Sequence, residues 1–178
     1  MKKILIVVDM QKDFVDGALG SNEAVAIVDN VVEKIGKFDG DIIVTYDTHQ
    51  DDYMETREGR FLPVPHCIQD TEGWQLNKRV SEALDAKGNY CVIHKPTFGS
   101  LELIDVVAQR MEEETSTEIT LIGLCTDICV VSNAMLLKAA YPEMNIFVDA
   151  SCCAGVTVES HKAALITMKM CQIEVIGE

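Results

Sequence analysis

The run KILIVVD, residues 3–9, decides the fold class of this chain. Every residue from Ile4 to Val8 is apolar, and Asp9 ends the run. A strand with one face in water alternates apolar and polar residues, whereas a strand covered on both faces is apolar throughout. The run therefore predicts a parallel strand that lies between two layers of helices.

Five further runs rich in Ile and Val follow at intervals: residues 41–47, 89–95, 118–124, 145–150 and 172–177. Segments with helical spacing separate them, such as SNEAVAIVDNVVEKIGKF, which Ser21 or Asn22 could cap. Alternating strands and helices are typical of an open, doubly wound, mainly parallel sheet. We therefore predict a three-layer α/β/α fold of about six strands, in a single domain over residues 1–178.

The composition excludes several classes of function. The chain has 178 residues and a formal net charge of −14, which repels nucleic acids and anionic membrane surfaces. The first apolar run is too short for an export signal or a membrane span. Seven cysteines are an odd number, and several lie in apolar runs, which favours reduced core thiols. These features predict a globular cytoplasmic protein that binds neither nucleic acid nor membrane.

Chemically active side chains follow the first four predicted strands. They are Asp9 after the first, Asp47 and His49 after the second, Lys95 after the third, and Cys125 and Cys129 after the fourth. In open α/β sheets, ligands bind beyond the carboxyl ends of the strands. We therefore expect these residues to surround one site.

The two cysteines of GLCTDICV are four residues apart and have different predicted environments. If Thr126 caps the following helix, Cys129 is its third residue and lies among unpaired N–H groups at the positive end of the helix dipole. That position and a cation such as Lys95 lower a thiol pKa from about 8.5, so Cys129 could be a nucleophile that Asp9 deprotonates. Backbone N–H groups of residues 125–129 would then stabilise an oxyanion. A structural thiol fits the same spacing, and from the residues alone both interpretations stay open.

A second group of residues suits a divalent metal. Asp47 and His49 lie two apart at a strand end, and the long segment at about residues 50–75 carries Glu58 and His66. One or two carboxylates with two imidazoles can hold a metal and leave positions for water or substrate. Such residues are also ordinary in surface loops, so the spacing does not decide between a metal site and a loop without one.

No glycine-rich phosphate-binding motif follows the first strand, which argues against a nucleotide site.

Read in order, four motifs resemble the nicotinamidase branch of the isochorismatase-like cysteine hydrolases. They are IVVDMQKDF, YDTH, PHCIQDTEG and GLCTDICV. The resemblance runs from Met1 to about residue 165, where DASCCAGVTVESHKAAL is similar to the family's late strand and helix. It implies a sheet order of 3-2-1-4-5-6 and a role in NAD salvage, the conversion of nicotinamide to nicotinate and ammonia through a cysteine thioester.

The resemblance also assigns the site residues. It implies a catalytic triad of Asp9, Lys95 and Cys129. It implies an oxyanion hole formed by the N–H groups of Cys125 and Cys129, with a non-proline cis peptide bond before Cys125. The metal, zinc before iron or manganese, would be held by Asp47, His49 and His66, with Glu58 as the fourth ligand, and would bind the pyridine nitrogen and water. The implied substrate contacts are Phe14, Phe98 and Leu124. A homodimer or homotetramer is the expected assembly.

Two positions depart from the family pattern. Asp70 stands where the family motif has glycine, and Pro63 stands where many nicotinamidases have tryptophan, a role that Trp74 or Phe98 could take over. The substrate could therefore be another small amide, carbamoyl or ureido compound. A non-catalytic relative that binds a small ligand or a partner protein is the alternative of a different class, although all three triad residues are present.

Overall fold

The computed structural model describes residues 1–111 and 116–178. Its six strands form one sheet in the order β3-β2-β1-β4-β5-β6, and every neighbouring pair is parallel. The strands are β1 (Lys2–Val8), β2 (Asp41–Asp47), β3 (Tyr90–Lys95), β4 (Thr117–Leu124), β5 (Asn145–Ala154) and β6 (Glu174–Ile176). The predicted strand number, direction and order are confirmed.

Helices cover both faces of the sheet. They are α1 (Lys12–Val15), α2 (Asn22–Ala26), α3 (Val28–Lys37), α4 (Arg57–Phe61), α5 (Lys78–Lys87), α6 (Glu102–Ala108), α7 (Val131–Ala140) and α8 (Val158–Met170). Alternate side chains of β1 point to opposite faces. Ile4, Ile6 and Val8 pack in a core with α6, α7 and α8, whereas Leu5 and Val7 pack with α2, α3 and α5. This arrangement confirms the predicted three layers.

The structure differs from the prediction in local detail. The helical segment that begins after Ser21 is two helices that meet at Ile27, and the Ser21 hydroxyl caps the first by accepting the Ala24 N–H at 3.0 Å. Strand β5 continues to Ala154, four residues past the predicted end, and its register against β4 shifts between Leu121 and Gly123. The segment at about residues 50–75 is also less irregular than expected, since it contains α4 and a 3₁₀ turn at Tyr53–Glu55.

The register of the sheet brings the predicted site residues to one edge. Val8 pairs with Thr45 on one side and Gly123 on the other, and Asp47 pairs with Lys95. The residues that follow these positions therefore leave the sheet at the same level. In the described part of the chain, no helix has both the length and the apolar character needed to cross a membrane.

Candidate active site

Asp9 is fully buried at the carboxyl end of β1, with a positive φ of 46°. Its Oδ1 accepts a hydrogen bond from the Thr45 hydroxyl at 2.6 Å, and its N–H donates to the Thr45 carbonyl at 3.1 Å. Burial raises the pKa of Asp9 above its ordinary value and Asp47 adds to the rise, although Lys95 and Thr45 oppose it. The carboxylate is therefore held in one orientation with an increased affinity for a proton.

Lys95 connects Asp9, Cys129 and Asp47. Its Nζ lies 2.6 Å from Asp9 Oδ2, 3.3 Å from Asp47 Oδ1 and 3.4 Å from Cys129 Sγ, and the side chain is 1% exposed. Burial alone would lower the pKa of this amine, but Asp9, and then Cys129 and Asp47, raise it above the ordinary value. An ammonium group has three donors. Two of these donors form hydrogen bonds, to Asp47 Oδ1 and Cys129 Sγ, and the contact with Asp9 Oδ2 is a buried ion pair.

The turn that carries Cys129 differs from the predicted capped helix. Cys125, not Thr126, is the residue before the helical segment, and residues Thr126–Val130 form a wide π-type turn in which the Val130 N–H donates to the Cys125 carbonyl at 3.1 Å. Thr126 is buried, and its hydroxyl bonds His161 Nδ1 at 2.8 Å instead of capping the helix. Cys129 is therefore the fourth residue of the turn. The peptide bond between Leu124 and Cys125 is cis, as the resemblance implied.

The pKa of the Cys129 thiol changes in the direction opposite to the one expected. Burial raises the pKa of Cys129 well above its ordinary value and Asp9 raises it further, while Lys95 acts against both. The expectation from the helix terminus and the cation was wrong because the sulfur is buried beside a carboxylate. The resting thiol thus keeps its proton, and a base must remove it before the sulfur can attack.

Two polar contacts tie this turn to α8 and to the loop that precedes it. One is the Thr126–His161 hydrogen bond, and the other is the Asp127 carboxylate, which accepts the Val156 N–H at 3.1 and 3.3 Å. Sequence reasoning did not assign a role to either His161 or Asp127. The only sequence signal was the position of Asp127 beside the nucleophile within the GLCTDICV motif.

Asp47, His49, Glu58 and His66 form a second cluster next to Lys95. Each contributes one ligand atom, and the four atoms all lie within 4.8 Å of one another. The measured separations are 3.0 Å for His49 Nε2–Asp47 Oδ2, 3.6 Å for His66 Nε2–Asp47 Oδ2, 3.6 Å for His49 Nε2–Glu58 Oε1 and 3.9 Å for His66 Nε2–Glu58 Oε1. The structure thus brings together all four residues that the sequence suggested for a metal.

The chemistry of this cluster fits a divalent metal. In a tetrahedral site with metal–ligand bonds of about 2.0–2.2 Å, ligand atoms lie roughly 3.3–3.6 Å apart, close to the four separations given above. The His66 Nδ1 donates to the Val64 carbonyl at 2.8 Å, which leaves the lone pair on Nε2, toward the cluster. Burial opposes ionisation of Asp47, but the nearby imidazoles of His49 and His66 and the charge of Lys95 hold the pKa of Asp47 well below its usual range. An ionised carboxylate and a neutral imidazole are the forms that bind metals.

Gln11 is a buried residue that supports this cluster and to which sequence reasoning gave no role. Its Nε2 donates to the carbonyls of Asp47 at 2.8 Å and Trp74 at 2.9 Å, and its Oε1 accepts the Asp47 N–H at 2.7 Å. The glutamine of the opening D-x-Q motif was the available signal. Gln11 therefore fixes the backbone from which the Asp47 carboxylate projects.

We expect Gln11→Ala to lower the free energy of unfolding by about 2–4 kcal/mol, because three buried backbone groups lose their partner. For a chain of this size, that corresponds to a melting temperature about 5–15 °C lower, which thermal unfolding followed by circular dichroism measures. The matched control is Gln50→Ala, since the exposed Gln50 makes one side-chain bond, to Gln69. Equal shifts for the two variants would contradict the role of Gln11.

A cavity of about 910 Å³ opens over the cysteine turn and the cluster of possible metal ligands. Cys125, Cys129, Asp47, Glu58 and His66 line it on one side. The three predicted substrate contacts, Phe14, Phe98 and Leu124, also line it.

Trp74 does not take part in this cavity. Its ring stacks on His94, with the ring centres 5.3 Å apart, and its Nε1 donates to the Thr48 hydroxyl at 2.9 Å. Of the two aromatic residues considered as substitutes for the missing tryptophan, only Phe98 is therefore placed to contact a ligand.

Comparisons with known proteins agree with this geometry. A model of the isochorismatase domain matches residues 3–177. The crystal structure of a nicotinamidase/pyrazinamidase, PncA from Bacillus subtilis, is 29% identical, with a TM-score of 0.85 over 99% of this chain and 100% of that one. A pyrazinamidase of Pyrococcus horikoshii, solved in complex with zinc, is 26% identical, with a TM-score of 0.80 over the whole of both chains. The nicotinamidase of Schizosaccharomyces pombe is 25% identical over 98% of this chain and 92% of that protein.

Proposed function

The chain belongs to the isochorismatase family, and from this membership and its buried site we propose that it is an amidohydrolase that converts nicotinamide and water to nicotinate and ammonia. The observation that carries the proposal is Lys95, which contacts Asp9, Cys129 and the carboxylate of Asp47 beside one cavity. A nucleophile, its base and a set of metal ligands are thus adjacent. Similar proteins named as nicotinamidases and pyrazinamidases support the choice of substrate.

The first step is the formation of a thioester. Asp9, whose pKa is raised by burial, takes the proton of the Cys129 thiol, and the sulfur attacks the carboxamide carbon. Lys95 offsets the negative charge on this pair. The first N–H groups of a helical segment have no partner inside it, so those of Cys125 and Cys129 are suited to bind the oxyanion.

The second step releases the products. Protonated Asp9 gives its proton to the leaving nitrogen as the C–N bond breaks, and ammonia leaves. Asp9 then accepts a proton from a water molecule that attacks the thioester, and returns this proton to the sulfur as the C–S bond breaks, which regenerates the thiol and the Asp9 carboxylate; the nicotinic acid ionises to nicotinate. Asp9 therefore acts alternately as base and acid, which suits a carboxyl group whose pKa is raised by burial.

We further propose that Asp47, His49, Glu58 and His66 hold a divalent metal, zinc first. A metal held there supplies Lewis acidity toward the substrate ring nitrogen and water. The ligand set itself belongs to the chain and is fixed by Gln11 and by the Val64 carbonyl. The zinc complex of the Pyrococcus horikoshii pyrazinamidase supports this assignment.

An ammonia-release assay with the purified protein tests the function. The panel comprises nicotinamide, pyrazinamide, aliphatic amides and ureido compounds. We expect turnover of the two aromatic amides and little release from the others. If only non-aromatic amides or ureido compounds are turned over, the substrate is one of these and not nicotinamide. If none of the compounds releases ammonia, the enzymatic proposal is overturned.

Removal of single imidazoles tests the metal site without an activity measurement. We expect His49→Ala and His66→Ala to lose bound zinc, as measured by elemental analysis of dialysed protein. In the wild type, zinc at about a hundred times its Kd adds about 2.7 kcal/mol of stability, which raises the melting temperature by roughly 5–10 °C. His94→Ala is the control, since His94 is exposed on β3 outside the cluster. Unchanged zinc content in both site variants would show that the cluster is not the metal site.

We also propose a cytoplasmic location, where thiols stay reduced. All seven cysteines are free in the structure, and four of them are buried. Cell fractionation with an antibody against the protein would test this location.

A further inference from the structure

We propose that the cavity takes aromatic carboxamides that carry a second, apolar group away from the amide, and that nicotinamide is the smallest member of this substrate class. The inference rests on the proposed function, because the same Cys129 would attack the amide. It concerns the outer part of the cavity, where the reaction on nicotinamide assigns a role to no residue except Phe98, a substrate contact that the resemblance implied.

The size of the cavity is the first argument. Its volume is about 910 Å³. Pockets of about 300–1,000 Å³ enclose drug-sized ligands, and nicotinamide has only nine non-hydrogen atoms. Its amide has to reach Cys129, and its ring nitrogen has to reach the ligand cluster, so it occupies the inner end. The space between this end and the opening is left for another part of a substrate.

The lining of the outer part is the second argument. Four large apolar side chains line the cavity and are nevertheless exposed: Phe61 at 77%, Leu62 at 38%, Phe98 at 45% and Val156 at 59%. They come from three separate segments, namely α4 with its following residue, the β3–α6 loop and the β5–α8 loop. We call these four residues the rim. Single exposed apolar residues are ordinary, but several that line one cavity are typical of a ligand site.

The geometry favours a substrate over a protein as the occupant of the rim. The rim residues are exposed and line the same cavity as Cys129, so a second copy of the chain seated on them would obstruct the approach of an amide. A substituent of the substrate, by contrast, covers the rim only during turnover. Contacts remote from the reacting bond can also increase kcat/KM when their binding energy is used in the transition state.

Ammonia release from nicotinamide and from its 5-phenyl and 6-phenyl derivatives tests the inference. We expect at least one phenyl derivative to have a kcat/KM about tenfold above that of nicotinamide, with Phe61→Ala reducing this ratio about fivefold, mainly through KM. The substrate ratio is the kcat/KM of the phenyl derivative divided by the kcat/KM of nicotinamide. Dividing the substrate ratio of a variant by that of the wild type removes differences in the intrinsic reactivity of the two amides. Phe61 is exposed, so its replacement leaves the core intact.

Ile166→Ala is the matched control, because Ile166 is an exposed apolar residue of α8 that does not line the cavity. Its substrate ratio should equal that of the wild type. The inference is overturned if no phenyl derivative exceeds nicotinamide, or if Phe61→Ala leaves the ratio unchanged. A Phe61→Ala variant that dissociates in light scattering yet keeps its ratio would also overturn it, by identifying the rim as a contact between copies. Turnover of nicotinamide in these cases would leave the proposed function standing.

Discussion

Replacing Cys129 by alanine is expected to lower kcat for ammonia release by about 10⁴-fold or more, since the variant lacks the atom that forms the thioester. Cys129 is almost fully buried and makes a side-chain contact to Lys95 at 3.4 Å. Alanine removes only the sulfur from this site. The fold should therefore persist, and circular dichroism with a melting curve checks that it does.

The matched control is Cys125→Ala, which removes the other thiol of the same turn. Cys125 also lines the cavity, but the mechanism uses only its backbone N–H. We expect this variant to keep its rate within about fivefold of the wild type, a difference of roughly 1 kcal/mol in the activation barrier. Equal losses in the two variants would point to a joint role of both sulfurs, and activity retained by Cys129→Ala would overturn the mechanism.

Mass spectrometry of an acid-quenched reaction gives a second, independent readout. The wild type should show a mass increase of one nicotinoyl group on a peptide that contains residue 129. In Cys125→Ala the same adduct should form, whereas Cys129→Ala should show none. An adduct on a different peptide would reassign the nucleophile.

The site residues at the strand ends were predictable because a parallel sheet brings successive strand ends to one edge. Asp9 follows an uninterrupted apolar run, Asp47 and Lys95 end runs that are largely apolar, and the sheet order then decides their distance. The same argument placed His49 beside Asp47. Glu58 and His66 come from the long segment after β2, and there only the resemblance to the family, and not the spacing, favoured a metal.

Other features depend on three-dimensional packing and have no local sequence signal. Threonine is a residue type that commonly caps helices, but the Thr126 hydroxyl instead forms a hydrogen bond with His161 on α8. The lower thiol pKa expected for Cys129 rested on the helix terminus and the charge of Lys95, whereas burial beside Asp9 produces the opposite shift. Whether a side chain is buried, and next to which charge, follows from contacts between distant segments.

Lys95 couples the two parts of the site. It contacts Asp9 and Cys129 on one side and Asp47 on the other. Because its positive charge stabilises all three groups, loss of either carboxylate leaves it with less compensation in a buried environment. The effects of substitutions at Asp9 and Asp47 on the free energy of unfolding are therefore expected to be non-additive, whereas in two independent clusters they would add.

The prediction with the second-largest effect is Asp9→Asn, which we expect to lower kcat by about 10²–10⁴-fold. Asparagine has the same shape, tolerates the positive φ of 46° at this position, and can still accept the hydrogen bond of the Thr45 hydroxyl. It cannot take up the proton of the Cys129 thiol. Because burial raises the pKa of that thiol, little thiolate forms without the base.

Two measurements separate this chemical effect from a loss of structure. Removing the charge leaves Lys95 with one carboxylate, which costs about 3–5 kcal/mol of stability at most, so the assay is run well below the melting temperature of the variant. The exposed Asp16, which forms only a surface ion pair with Lys12, provides the control Asp16→Asn and should be fully active. Quenched Asp9→Asn should contain no thioester on Cys129, because the loss precedes acylation. A thioester that accumulates in this variant would show instead that Asp9 acts only in the hydrolysis of the intermediate.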